Sequence, residues 1–248
     1  MQLKYMKNQI TESGRWPVIL VFSRFVFATV LQFLVAGGLM LSGHTNPLQF
    51  AGRWFTVYGT LIDIGCLLLI TKQLRKEGKR IRELVNLHGQ RWYKSMLIGL
   101  GYTLVLFPVT VAGTMISSFL AYGKLEPQQI MGGIPLWGAL FSTFIYPVLW
   151  TFTEQLTYQG YALPRLEKAF GSKWAAIALV SFGWMLQHAA LPLELDFHYA
   201  AMRMLSFFPL TVIMPLLYLR TRRLLPFITA HWIMDTTAAV MGTLMPLL

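Results

Sequence analysis

The chain has a single cysteine, Cys66, which excludes an internal disulfide framework and any metal site built from several thiolates. It is also short of charge. Asp, Glu, Lys and Arg make up 12% of the 248 residues, about half of the ~25% usual in soluble domains and too little to wet a globule of this size. Acidic residues are scarcest, 10 against 21 basic ones, for a net charge of +11. Such an excess can mark a nucleic-acid partner. Here the basic residues lie between long apolar runs, where they set membrane topology, and no nucleic acid is expected. No repeat or low-complexity tract interrupts the chain, so residues 1–248 read as one transmembrane domain. The first sixteen residues are polar, and the apolar run after them is too long for a signal peptide and has no clear cleavage site, so no leader is expected.

What is present is apolar: 55% hydrophobic residues and a mean hydropathy of +0.53. Runs fall at about 17–42, 53–73, 95–122, 136–163, 174–193, 203–219 and 226–248, each near the ~20 residues that cross a bilayer as a helix. The expected fold is all-α: a polytopic helical membrane protein of about seven transmembrane helices. Of the 21 Lys and Arg, 17 lie in the amino-terminal tail and in alternate loops, at Lys4–Arg15, Lys72–Lys94, Arg165–Lys173 and Arg220–Arg223. That alternation predicts the amino terminus in the cytoplasm. The segment Arg75–Arg91 reads as an amphipathic helix on the anionic inner leaflet. The compact form suggests a multi-pass protein of a bacterial inner membrane. Oligomeric state is not legible.

Three runs carry ionisable groups where lipid is expected: Glu154 in the fourth, His188 in the fifth, and His231 with Asp235 in the seventh. A charge at mid-bilayer costs roughly 2.5–3.5 kcal/mol on insertion scales, so an intramembrane carboxylate beside two histidines points to function. At 1.5 Å per residue, Glu154 lies roughly 15 Å from the cytoplasmic end, His188 roughly 20 Å, His231 roughly 8 Å and Asp235 roughly 14 Å. They share one cytoplasmic-side layer, and a common cavity open to the cytoplasm is expected. The plainer readings are that a single intramembrane His bonds between helices and that Asp235 orients His231. Asp63 and Arg24 read as a structural pair between the first two spans, and His44, His88 and His198 as inert loop residues. A two-His, one-carboxylate zinc site from His188, His231 and Glu154 or Asp235 is a competing reading, although no His-Glu-x-x-His helix is present. A proton-coupled transporter fits less well, because the groups trace no path across the bilayer.

In order, Glu154-Gln155-Leu156-Thr157-Tyr158-Gln159, Trp184-Met185-Leu186-Gln187-His188 and His231-Trp232-Ile233-Met234-Asp235 resemble the three motifs of the CAAX protease and bacteriocin-processing (Abi) family of intramembrane proteases. Those motifs are Glu-Glu-x-x-x-Arg, Phe-x-x-x-His and His-x-x-x-Asn or Asp. The likeness covers about 140–240; the first three spans show nothing specific. It implies an intramembrane endopeptidase acting on peptides or membrane-associated proteins, without a cofactor. Residues matching Glu154 and His188 would activate water, and those matching His231 and Asp235 would stabilise the oxyanion. Gln155 and Gln159 depart from the pattern at the second Glu and the Arg. Losing both charges together leaves no orphan ion, and the two amides, at i and i+4, could still bond. If the second carboxylate takes part in proton transfer, the chain is instead a weakened or inactive member serving as a membrane regulator or bacteriocin-immunity protein. Trp184 for Phe keeps an aromatic wall.

Overall fold

The computed structural model describes residues 2–85, 91–125 and 131–248, with side chains from Gly14 onward. The described residues form helices and one isolated bridge, Ala190–Leu193, and no strand. In lipid every backbone N–H and C=O must be satisfied within its own segment, and each expected apolar run is accordingly helical. The first three are α1 (Gln2–Leu41), α3 (Phe55–Lys76) and α5 (Trp92–Tyr122), with the short α2 (Pro47–Arg53) and α4 (Ile81–Val85) between them. The fourth run is broken. It passes from α6 (Leu136–Phe144) through α7 (Tyr146–Gln155) and a π-helical stretch, Leu156–Ala162, into α8 (Leu163–Phe170). α9 (Lys173–Ala189), α10 (Phe197–Thr221) and α11 (Leu225–Ala239) complete the bundle. The chain turns between them at local signals. Gly171 takes a left-handed φ of 64° at the end of α8, Ser172 caps α9 and Asp196 caps α10 through their side-chain oxygens.

The fold is therefore all-helical and multi-pass. Five helical segments are long and apolar enough to cross a membrane: Gly14–Leu41, Phe55–Lys76, Trp92–Tyr122, Leu136–Phe170 and Phe197–Thr221. α9 and α11, with 17 and 15 residues, extend only about 25 and 22 Å against a ~30 Å core. α11 continues through a π turn, Val240–Leu244, and a 3-10 turn, Met245–Leu247.

Arg75–Arg91 is not one amphipathic helix. α3 runs on to Lys76, Gly78 breaks the chain with φ +68°, and α4 spans only Ile81–Val85. His88 and the rest of 86–90 lie outside the described residues. This basic end is closed by packing: Leu74, Leu156, Tyr158, Leu163, Leu166, Trp184, Leu224 and Phe227 belong to one buried cluster. A second cluster around Phe55, Tyr58, Tyr146 and Trp150 fills the opposite half. At Gly183 α1 and α9 nearly touch; a Cβ there would meet the Val21 side chain and lie 2.9 Å from the Val21 carbonyl oxygen. One turn along each helix, the same approach sets Arg24 beside Gln187.

Outside the membrane segments, Glu77 receives Arg165 Nε at 3.0 Å and Nη2 at 2.5 Å, tying the end of α3 to α8. Partial burial works against the charged form, but the Arg165 hydrogen bonds and charge outweigh it and hold the Glu77 carboxyl below its ordinary pKa of 4.5. A lowered carboxyl stabilises the fold fully above that ordinary value and loses its effect as pH falls through the folded one. Glu77→Gln should thus cost at most about 1 kcal/mol at pH 7, the scale of a partly exposed pair. In thermal unfolding, the gap between wild type and variant should close in acid.

Candidate active site

Glu154 ends α7, where the π-helical stretch begins, and is fully buried. Its Oε1 accepts from Trp184 Nε1 at 2.7 Å and from the Gln187 amide. The Gln187 Oε1 in turn accepts from Arg24 Nε at 2.7 Å and Tyr158 Oη at 3.0 Å. Two donors on that oxygen leave only the amide nitrogen to face Glu154, so the orientation of Gln187 is determined. Arg24 is itself held by Asp63, Nη1 to Oδ1 at 2.8 Å, and lies 4.1 Å above the Trp150 ring. The Arg24–Asp63 pair joins the first two spans, as read from the sequence, and also continues into the site.

With Oε1 taken, Glu154 Oε2 is left. It lies 3.2 Å from His231 Nε2 and makes no well-aligned hydrogen bond. His231 Nε2 also lies 3.4 Å from Asp235 Oδ2, which accepts from Thr151 Oγ1 at 3.3 Å. Gln155 Nε2 is 3.0 Å from His231 Nδ1. In this orientation the amide donates to Nδ1, which puts the imidazole proton on Nε2, between the two carboxylates. Gln155 and Gln159 do not bond to each other. Gln155 turns to His231, and neither polar atom of the buried Gln159 amide has a partner. A carboxylate at 155 would accordingly face His231 rather than stand unpaired.

His188 is placed differently. Its ring stacks on Phe207 with centroids 3.6 Å apart, and among the described residues no ion pair or hydrogen bond joins it to Glu154. What it shares with His231 and Asp235 is the wall of a cavity of about 660 Å³, otherwise largely apolar, with Phe55, Phe107, Leu210 and Met234. That volume holds a drug-sized ligand or several residues of peptide. Glu154 stands behind His231 and does not line it. Among the described residues no group of three His, Cys, Asp or Glu side chains is arranged to hold a metal ion.

The cavity lies toward the end of the bundle poor in Lys and Arg, whereas the expectation had it open at the end rich in them. The cavity reaches Phe55 at the start of α3, Met131 and Leu191, all at the end poor in Lys and Arg. The large side chains packed around Leu156, Tyr158 and Trp184 fill the other direction. Counting residues along a helix yields depth, but not which side of that depth is left unfilled. Val111, Met115 and Met241 line the cavity and are exposed on the perimeter of the bundle, so it also borders the lipid side.

Trp184 does more than supply a wall, because its indole N–H donates to Glu154 and a phenylalanine could not. Trp184→Phe should lower kcat by about tenfold, the loss of one hydrogen bond to a charged group, with little change in KM. Steady-state kinetics on a cleaved peptide will check this.

No curated protein and no solved structure matches the chain. A family model does match, that of the type II CAAX prenyl endopeptidase Rce1-like family, over residues 135–237. Glu154, His188, His231 and Asp235 all fall inside the match, as do Trp184 and Gln187; Arg24 and Asp63 fall outside it. Over residues 135–237, somewhat less than half of its length, the chain is similar to the Rce1-like family of type II CAAX prenyl endopeptidases.

Proposed function

We propose that the protein is an intramembrane endopeptidase in which Glu154 takes a proton from a water that attacks a peptide carbonyl. The observation that carries this reading is the division of labour within one carboxylate. Oε1 is anchored by Trp184 and Gln187, while Oε2 has no aligned hydrogen bond and faces His231 at 3.2 Å. A base needs one oxygen free and the other fixed. His188, on the cavity wall, holds the water, Asp235 keeps the His231 imidazole in place, and the Nε2–H of His231 favours the charge that develops on the carbonyl oxygen. No metal enters this mechanism. The low-dielectric surroundings strengthen each of these interactions.

A second reading rests on one observation: His231, and not Glu154, lines the cavity. In it the Gln155 amide is flipped so that its Oε1 accepts from Nδ1–H, His231 takes the proton at Nε2, and Glu154 steadies the imidazolium. Comparing Glu154→Gln with His231→Gln separates the two, since the larger loss of kcat belongs to the base.

The substrate is a peptide or membrane-protein segment with an apolar stretch, entering a cavity whose walls are mostly apolar. We take the chain to cross a cell membrane seven times with its amino terminus and basic loops in the cytoplasm, supported by the 17 of 21 Lys and Arg on that side. The cavity then faces away from the cytoplasm. Single cysteines introduced at 79 and at 195 into a Cys66→Ala background, labelled with an impermeant maleimide from each side, test the topology; outward labelling at 79 contradicts it. The activity is tested by presenting a peptide library to the purified protein in lipid nanodiscs and sequencing new termini. Cleavage by wild type supports the reading. No cleavage by wild type contradicts it.

A further inference from the structure

Arg203 is a buried cation that no carboxylate contacts among the described residues; Glu194, in the wall of the smaller cavity beside Tyr199, acts on it only from beyond ion-pair distance. It lies on α10, one turn before Phe207, and lines the cavity together with His188 and His231. Its Nη2 donates to the Leu191 carbonyl oxygen at 2.9 Å, and its guanidinium stands 5.2 Å from the centre of the Phe207 ring, the ring on which His188 stacks. Arg203, Phe207 and His188 thus form a row that leads from the outer end of the cavity to the site. Among the described residues no ion pair reaches Arg203, and its Nε has no hydrogen-bond partner. One turn back, at i−4, Tyr199 is 2% exposed and its hydroxyl is also without a partner. Tyr199 lines a smaller cavity of about 320 Å³ that shares Met131 with the first.

A buried charge without an ion-pair contact is costly to a fold, and an unsatisfied phenol beside it adds to the cost. An anion lying between the two donors offsets both. The guanidinium fork suits a planar carboxylate, which it can meet with two parallel N–H groups. A peptide that fills the apolar cavity has carboxylates to offer, at its terminus or on an acidic side chain.

We propose that Arg203 and Tyr199 form a subsite for a carboxylate of the peptide substrate, which fixes where the peptide lies relative to Glu154. The subsite rests on the reading of the cavity as a peptide-hydrolysing site. By holding one end of the peptide it sets which bond reaches the water.

The test uses the full-length protein in nanodiscs and three peptides of one apolar sequence. The first ends in a free carboxylate, the second in an amide, and the third in an amide with one glutamate side chain added. Binding is measured on the Glu154→Gln protein, so that turnover does not intervene. One of the two acidic peptides should bind roughly ten- to hundredfold tighter than the neutral one, the range for a hydrogen-bonded charge. Which acid is preferred tells whether the subsite reads a terminus or a side chain. Adding Arg203→Gln should erase the preference, while Arg203→Lys should keep part of it and Tyr199→Phe should reduce it. Equal binding of all three peptides, no binding of either acid, or an equal loss for all three in Arg203→Gln and Arg203→Lys would overturn the subsite. Wild-type cleavage of the same peptides, followed in parallel, separates the two claims. Cleavage without an acid preference removes the subsite and leaves hydrolysis standing; an Arg203-dependent preference without cleavage does the reverse.

Discussion

Glu154→Gln should leave the fold intact and slow peptide hydrolysis by about 10²–10⁴-fold, the usual cost of losing a general base. The substitution keeps size and shape. An amide oxygen in place of Oε1 still accepts from Trp184 and Gln187, so the anchoring contacts survive and the buried charge is removed rather than stranded. What disappears is the acceptor facing His231. The loss should therefore lie in kcat, with KM and thermal unfolding near wild type. Turnover within a few-fold of wild type would take Glu154 out of the chemistry, and collapse of the fold would make it structural.

The second large effect concerns Arg24, which lies outside the family match. Arg24→Met leaves Asp63 buried without its partner, which should cost about 3–5 kcal/mol of stability. Adding Asp63→Leu removes the stranded charge and should restore most of that stability, because a well-packed apolar pair often replaces a buried ion pair without loss. Activity should not return with it. Arg24 Nε is one of two donors that fix the Gln187 amide, and Gln187 holds Glu154. With only Tyr158 left to orient it, Gln187 gains freedom and Glu154 loses an anchor. Thermal unfolding and kcat measured on both variants will separate the roles; full activity in the double variant would reduce Arg24 to a structural ion.

Much of this arrangement was legible from residue types and spacing. The seven apolar runs are helices, Glu154 of the fourth run meets His231 of the seventh while His188 of the fifth stands apart on Phe207, and Arg24 does pair with Asp63. Spacing along a helix determines depth and face, and those were enough for His231 beside Asp235. It does not determine which neighbouring helix comes close. That depends on small contacts such as Gly183 against Val21, which bring the first span to the fifth and turn Arg24 from one ion of a pair into a support for Gln187. Sequence alone shows Trp184 only as an aromatic wall, because its N–H matters only once a carboxylate stands 2.7 Å away. Helical spacing lets Gln155 reach Gln159, but the stronger claim on its amide comes from His231 across the bundle. The direction of the cavity was hidden for a similar reason, since it is set by where Leu156, Tyr158 and Phe227 pack rather than by the polar residues.

A single-turnover reaction in oxygen-18 water distinguishes water activation by an unmodified Glu154 carboxylate from direct attack by that carboxylate. With enzyme in excess over a cleavable peptide, one oxygen-18 atom should enter the new carboxyl terminus and none the enzyme fragment that carries Glu154. Label in the Glu154 carboxyl would mean that it attacks the peptide itself, and an unlabelled product would mean that water is not the nucleophile; either result contradicts the account.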